Sequence, residues 1–144
     1  MKQGESRPAP IRRDVRLWWE QAKHDLGTAE YNLAGARHDA AIFFCQQAVE
    51  KALKALAIHT KKQSPGPTHS LVTLGRVCGV PKKFSRFLRT LTSEYFLSRY
   101  PDAAGDVPYT LYDGTEAREY LNTSKELLQW VAKQLPKLSE GSGA

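Results

Sequence analysis

The sequence predicts an all-α protein: an antiparallel up-and-down four-helix bundle with one additional short helix. Three observations carry this. Apolar residues recur at three-and-four spacing over long stretches, Pro and Gly clusters divide those stretches, and no run combines β-branched alternation with a hairpin turn.

Asp14 is placed to cap the first helix, whose Val15, Trp18, Trp19, Ala22, Leu26, Ala29 and Leu33 fall on one face until Gly35. A second helix spans about 39–60, with Ile42, Cys45, Val49, Ala52, Leu53 and Leu56 as its stripe. Phe43 and Phe44 lie off that stripe, so its first half is apolar nearly all round; such a helix is either central to the bundle or part of a subunit interface.

Pro65, Gly66 and Pro67 end it. Thr68 or Ser70 caps a short helix over 71–77 that stops at Gly79, and Pro81 suits the first turn of a fourth helix, a long one running to Arg99. Its core candidates are Phe84, Phe87, Leu88, Leu91, Tyr95 and Leu97. Asp113 and Glu116 are spaced as a variant capping box before the last helix, where Ala117, Tyr120, Leu121, Ser124, Leu127, Leu128, Val131 and Leu135 share a face and Pro136 closes it. Residues 1–13 read as a flexible N-terminal arm, 14–136 as the bundle and 137–144 as a flexible C-terminal tail.

A chain of 144 residues buries roughly two thirds of its unfolded surface, enough for a core without disulfides or metal. Cys45 and Cys78 have neither disulfide-framework nor zinc-site spacing, the longest apolar run is too short to span a bilayer, and the N-terminus lacks a secretion signal. A soluble, cytoplasmic protein is expected. Positive charge is concentrated: residues 61–99 hold eight basic side chains against the single acid Glu94, more than the whole chain's net +6. Such a segment attracts phosphate-bearing partners, or is a solvated face that aids solubility.

Catalytic chemistry is not evident. Cys45 lies on a core stripe with no orienting motif around it, no Glu-x-x-His pair provides a di-metal site, and the glycines are too scattered for a phosphate loop. No catalytic residue, metal or cofactor is assigned.

Four stretches together resemble the HEPN domain family. They are "WWEQAKHDLGTAEYNL" in the first helix, "HDAAIFFCQQAVEKALKALAIH" in the second, "THSL" at 68–71 and "RYPD" at 99–102. The branch they resemble is the stand-alone prokaryotic type, often encoded beside a minimal nucleotidyltransferase. The resemblance implies a dimeric helical bundle that binds nucleotide or RNA, with that nucleotidyltransferase as partner in a toxin-antitoxin or related two-component system. It implies ribonuclease activity only where an Arg precedes a His by four to six intervening residues. No arginine stands at those positions before His24, His38, His59 or His69. Lys54 precedes His59 at that spacing, but lacks the planar guanidinium fork and lies outside the expected helix. A non-catalytic binding role is therefore expected, without the tyrosine adenylylation tied to that motif. The alternatives are a dimeric interaction module without nucleotide binding, or a ribonuclease toxin with a non-standard site.

Candidate ligand-binding residues are Gln47, Lys51, Lys54, His69, Arg99, Tyr100 and Asp102. By helical phase Gln46 lies at the core edge, while Gln47, Lys51 and Lys54 lie on the opposite side, facing either phosphate, another subunit or solvent. His69 contacts a ligand or helps start the short helix. Arg99 and Asp102 form a ligand clamp or an ion pair bracing the Tyr100–Pro101 turn.

Overall fold

A computed structural model describes residues 12–135, and within them the chain is helical throughout its regular structure. Three long helices, α1 (Arg13–Ala34), α2 (His38–Lys61) and α7 (Gly114–Gln134), form most of the bundle. The fourth leg is assembled from shorter pieces: α3 (Leu71–Cys78), a 3₁₀ turn at Lys82–Phe84, α4 (Ser85–Thr92) and α5 (Glu94–Leu97). A one-turn α6 (Pro101–Ala104) and a 3₁₀ turn at Pro108–Thr110 lead into α7.

The short α1–α2 connection makes those helices antiparallel neighbours, and α2 also packs on α3, α5 and α7. Helix α2 is therefore the central one. Its stripe residues Ile42, Cys45, Val49, Ala52, Leu53 and Leu56 are buried, meeting Leu71 and Leu74 of α3, Leu88 and Leu91 of α4, and Leu121, Leu127 and Val131 of α7. Burial pushes the thiols of Cys45 and Cys78 up to about 12, so both are inert. Phe43 and Phe44 are half-buried.

Capping differs from expectation at one end of the bundle. The residue before α1 is Arg12, without a side-chain cap, and Asp14 lies in the first turn, where it accepts from the Val15 amide and the Arg12 guanidinium. A carboxylate there complements the helix dipole. Arg12 also donates to the Lys62 carbonyl at 2.8 Å, tying the start of α1 to the end of α2. Arg12 and Arg13, assigned to the arm from sequence, thus belong to the start of α1; residues 1–11, the tail and Pro136 lie outside the described residues. Ser70 caps α3 and Asp113 caps α7 by accepting from the amide of Glu116.

The fourth helix is interrupted where the sequence suggested continuity. In "TLTS" the Thr90 hydroxyl donates to the carbonyls of Arg86 and Phe87, and the Ser93 hydroxyl donates to that of Thr90. Side chains competing for helix carbonyls loosen the ladder. Thr92 instead accepts from the Leu71 amide, which fixes the break against the start of α3.

Gly75 allows α3 and α4 to pack closely. A methyl group there would lie 2.6 Å from Leu88 Cδ1, in a region where Leu74 and Leu88 are buried. Gly75→Ala is expected to destabilise the fold by about 1–3 kcal/mol through this overpacking. A urea midpoint equal to or above that of the parent protein contradicts this account.

Candidate nucleotide or RNA interface

The polar residues of the two most distinctive helices form one buried network. Asp25, 3% exposed, accepts from Gln21 at 2.9 Å and from Lys51 Nζ at 2.6 Å. Lys51 also donates to Gln47 at 3.0 Å, Gln47 donates to Gln46 at 2.7 Å, and Gln46 donates to Glu50 at 2.9 Å. Glu50 Oε2 lies 3.0 Å from both Lys54 Nζ and His69 Nδ1. The Trp18 ring covers the Lys54 ammonium at 5.2 Å.

Lys54 is thus buried and ion-paired, not on an open face as helical phase suggested. The reason is that α1 crosses the polar side of α2 and lays Trp18 and Asp25 over it. Gln47 and Lys51 are half-buried in the same seam. Burial acts to raise the Glu50 carboxyl, but hydrogen bonds from Gln46, Lys54 and His69, with the Lys54 charge, hold it below its ordinary value. The carboxylate stays ionised and fastens three elements: α2, the α1 contact through Lys54 and Trp18, and the loop carrying His69.

His69 joins this network to an aromatic surface. Its ring stacks on Tyr95 at 4.7 Å and 23°, so it does more than begin α3. Tyr95 meets Phe96 edge-on at 4.8 Å and lies 6.2 Å from Phe43, and Phe96 is 6.0 Å from Tyr100. Arg99 sits among these rings, its guanidinium carbon 4.5 Å from the centre of Phe43 and 5.6 Å from that of Tyr100. No ion pair joins Arg99 to Asp102; Asp102 is an exposed residue in the first turn of α6. Arg99 is braced by the faces of Phe43 and Tyr100, not by the Asp102 carboxylate that one of its two sequence readings paired with it. A groove of about 550 Å³ opens beside it, bordered by Asp39, Phe43, Phe44, Ser98, Arg99 and Tyr109.

Phe43, Tyr95 and Phe96 were not singled out as site residues from sequence. The available signal was the aromatic density of "YFLSRY", which helical phase divided between core and surface. Glu94, the lone acid of the basic segment, is 5% exposed and accepts from Tyr112 at 2.6 Å and Tyr120 at 3.2 Å. Burial pushes its carboxyl above the ordinary value, an effect the two phenols offset only in part. It secures α5 to Tyr120 of α7 and to Tyr112 just before that helix.

The described residues hold no cluster of three or more candidate metal ligands, and no described helix is long and apolar enough to cross a membrane. What the geometry defines is an all-helical bundle welded by a buried charged seam, with an arginine-bearing aromatic face at the α2–α5–α6 end.

The HEPN domain family model matches residues 15–135, and the chain belongs to that family. It is similar to TT1696 from Thermus thermophilus, with 32% identity and a TM-score of 0.75 over 85% of this chain and 99% of that one. A second similar structure is ST0689, an archaeal HEPN homologue, with 31% identity and a TM-score of 0.70 over 85% of this chain and 98% of that one. No curated protein sequence matches the chain.

Proposed function

We propose that this HEPN protein binds a nucleotide or single-stranded RNA on the face formed by Phe43, His69, Tyr95, Phe96, Arg99 and Tyr100. Binding is non-catalytic, and the protein acts as a homodimer in the cytoplasm, with a minimal nucleotidyltransferase partner in a toxin-antitoxin or related two-component system. The observation that carries the ligand reading is Arg99 held over Phe43 beside exposed Phe96 and Tyr100. Rings offer stacking surface to any base, while a guanidinium meets phosphate or stacks in turn. The chain's net charge of +6 favours polyanions in general. Gln47, Lys51 and Lys54 serve this site indirectly, since the network they form positions Glu50 and so His69. Asp102 stands at its edge, next to Pro101 in α6.

Titration of labelled ATP and of a short oligouridylate at two salt concentrations tests the reading. Binding is expected at low salt and to weaken as salt rises, and Arg99→Ala or Phe96→Ala is expected to cost about 1–3 kcal/mol of affinity. The RNA should remain intact throughout. Absence of binding at low salt, or binding indifferent to salt and to both substitutions, refutes it.

A dimeric interaction module without nucleotide binding is favoured by one observation. Phe96, Tyr100, Val107, Tyr109 and Leu111, all large and exposed, fall within one stretch of chain. Strictly monomeric sedimentation at high concentration eliminates that module.

A further inference from the structure

On the α3–α4 side, distinct from the aromatic face, lies a second groove of about 510 Å³ with an aliphatic floor and a cationic rim. Val72 and Val80 are half-buried and Leu88 is buried in the floor; the absence of a side chain at Gly75 lets α4 approach closely enough to form it. The groove's cations are Arg76 from α3, Lys82 from the 3₁₀ turn and Arg89 from α4, all exposed. No acidic residue lines the groove.

We propose that this groove docks an acidic segment of a partner protein, in which an aliphatic side chain is flanked by carboxylates. Two physical features select that occupant. Cations contributed by α3, the 3₁₀ turn and α4 attract carboxylates and disfavour basic segments, giving orientation and on-rate. The floor is aliphatic, with no aromatic ring among its lining residues to stack a base, so a nucleic acid gains phosphate contacts there but nothing from its bases. An aliphatic side chain, by contrast, buries its surface against Val72, Val80 and Leu88. The groove shares no residue with the Arg99 face, and its occupancy does not depend on what that face binds.

Random peptides displayed on phage and selected on the intact protein test this directly. Selected sequences should be rich in Asp and Glu around a Leu, Ile or Val. A synthetic peptide of that sequence should bind less well at higher salt, lose about tenfold or more in affinity to the folded double variant Arg76→Glu/Arg89→Glu, and keep its affinity for Arg99→Ala. Ser85→Trp, which fills the groove without changing a cation, should weaken binding as well and guards against misfolding of the charge-reversed protein. Selected peptides without acidic residues, equal binding to both groove variants, or displacement of the peptide by oligouridylate overturns the proposal, the last by assigning the groove to nucleic acid.

Discussion

Glu50→Ala is expected to lower the stability of the fold by about 3–5 kcal/mol, because it leaves the Lys54 ammonium buried without its counter-charge. The loss comes less from a broken attraction than from a stranded ion. Replacing both partners by apolar residues of similar size, Glu50→Leu with Lys54→Met, should therefore recover most of it. Urea denaturation of the two single variants and the double variant checks this. If the double variant is as unstable as the sum of the singles, the pair is not a coupled buried unit. The same carboxylate gives a pH signature. Its folded value lies below the ordinary 4.5, so its contribution is present above 4.5 and is lost as pH falls through the lower folded value. Glu50→Leu/Lys54→Met should flatten that acid limb. Because His69 also meets Glu50, Glu50→Ala should loosen the loop that presents His69 to Tyr95.

Tyr112→Phe is expected to cost about 1.5–3 kcal/mol at neutral pH, since Glu94 then loses its 2.6 Å donor while remaining buried. Here the sign of the pH dependence is opposite to that of Glu50. Burial raises the Glu94 carboxyl above 4.5 in the folded protein, so the stability associated with its protonated form is full below 4.5 and disappears as pH rises through the folded value. The Tyr112 hydroxyl stabilises the ionised form, so its removal should hurt more as pH increases. Glu94→Gln should abolish this slope and be milder than Tyr112→Phe at neutral pH, because a neutral amide can still accept from a phenol. A Tyr112→Phe cost that shrinks with rising pH contradicts the assignment. The phenols are poor sources of protons at any ordinary pH: burial and the Glu94 charge push Tyr112 well above its usual range, and burial raises Tyr120 to about 12.

Residues that mark the family resemblance differ in what they do. Those quoted for the first two helices, Trp18, Asp25, Gln46, Gln47, Glu50, Lys51 and Lys54, meet one another across the α1–α2 seam. Their first role is to hold the bundle. The stretch "RYPD" is different: Arg99 and Tyr100 reach the surface, and Pro101 opens α6 with no hydrogen-bond donor required of it.

Local rules were sufficient for much of the fold. Helical spacing placed Val15, Trp19, Ala22, Ile42, Leu53, Leu121 and Leu127 in the core, and Ser70 and Asp113 cap the helices they precede. Those rules involve contacts within three or four positions. The break after Thr92 has a local part in the Thr90 and Ser93 hydroxyls, which bond carbonyls three and four positions back, but what fixes it is the Leu71 amide on Thr92, 21 positions away and outside any local rule.

By itself, then, the sequence determined the helical class, the extent of α1, α2 and α7, the concentration of positive charge between 61 and 99, and the family. Only the tertiary structure decided which charges are available. Whether Lys54 faces solvent depends on Trp18 and Glu50; whether Arg99 pairs with Asp102 or lies on Phe43 depends on how α5 packs against α2. Periodicity assigns a residue to one side of its own helix. What covers that side is fixed by chain segments tens of residues away, and burial beside a particular counter-charge, not helical phase, sets the energy of a charged group.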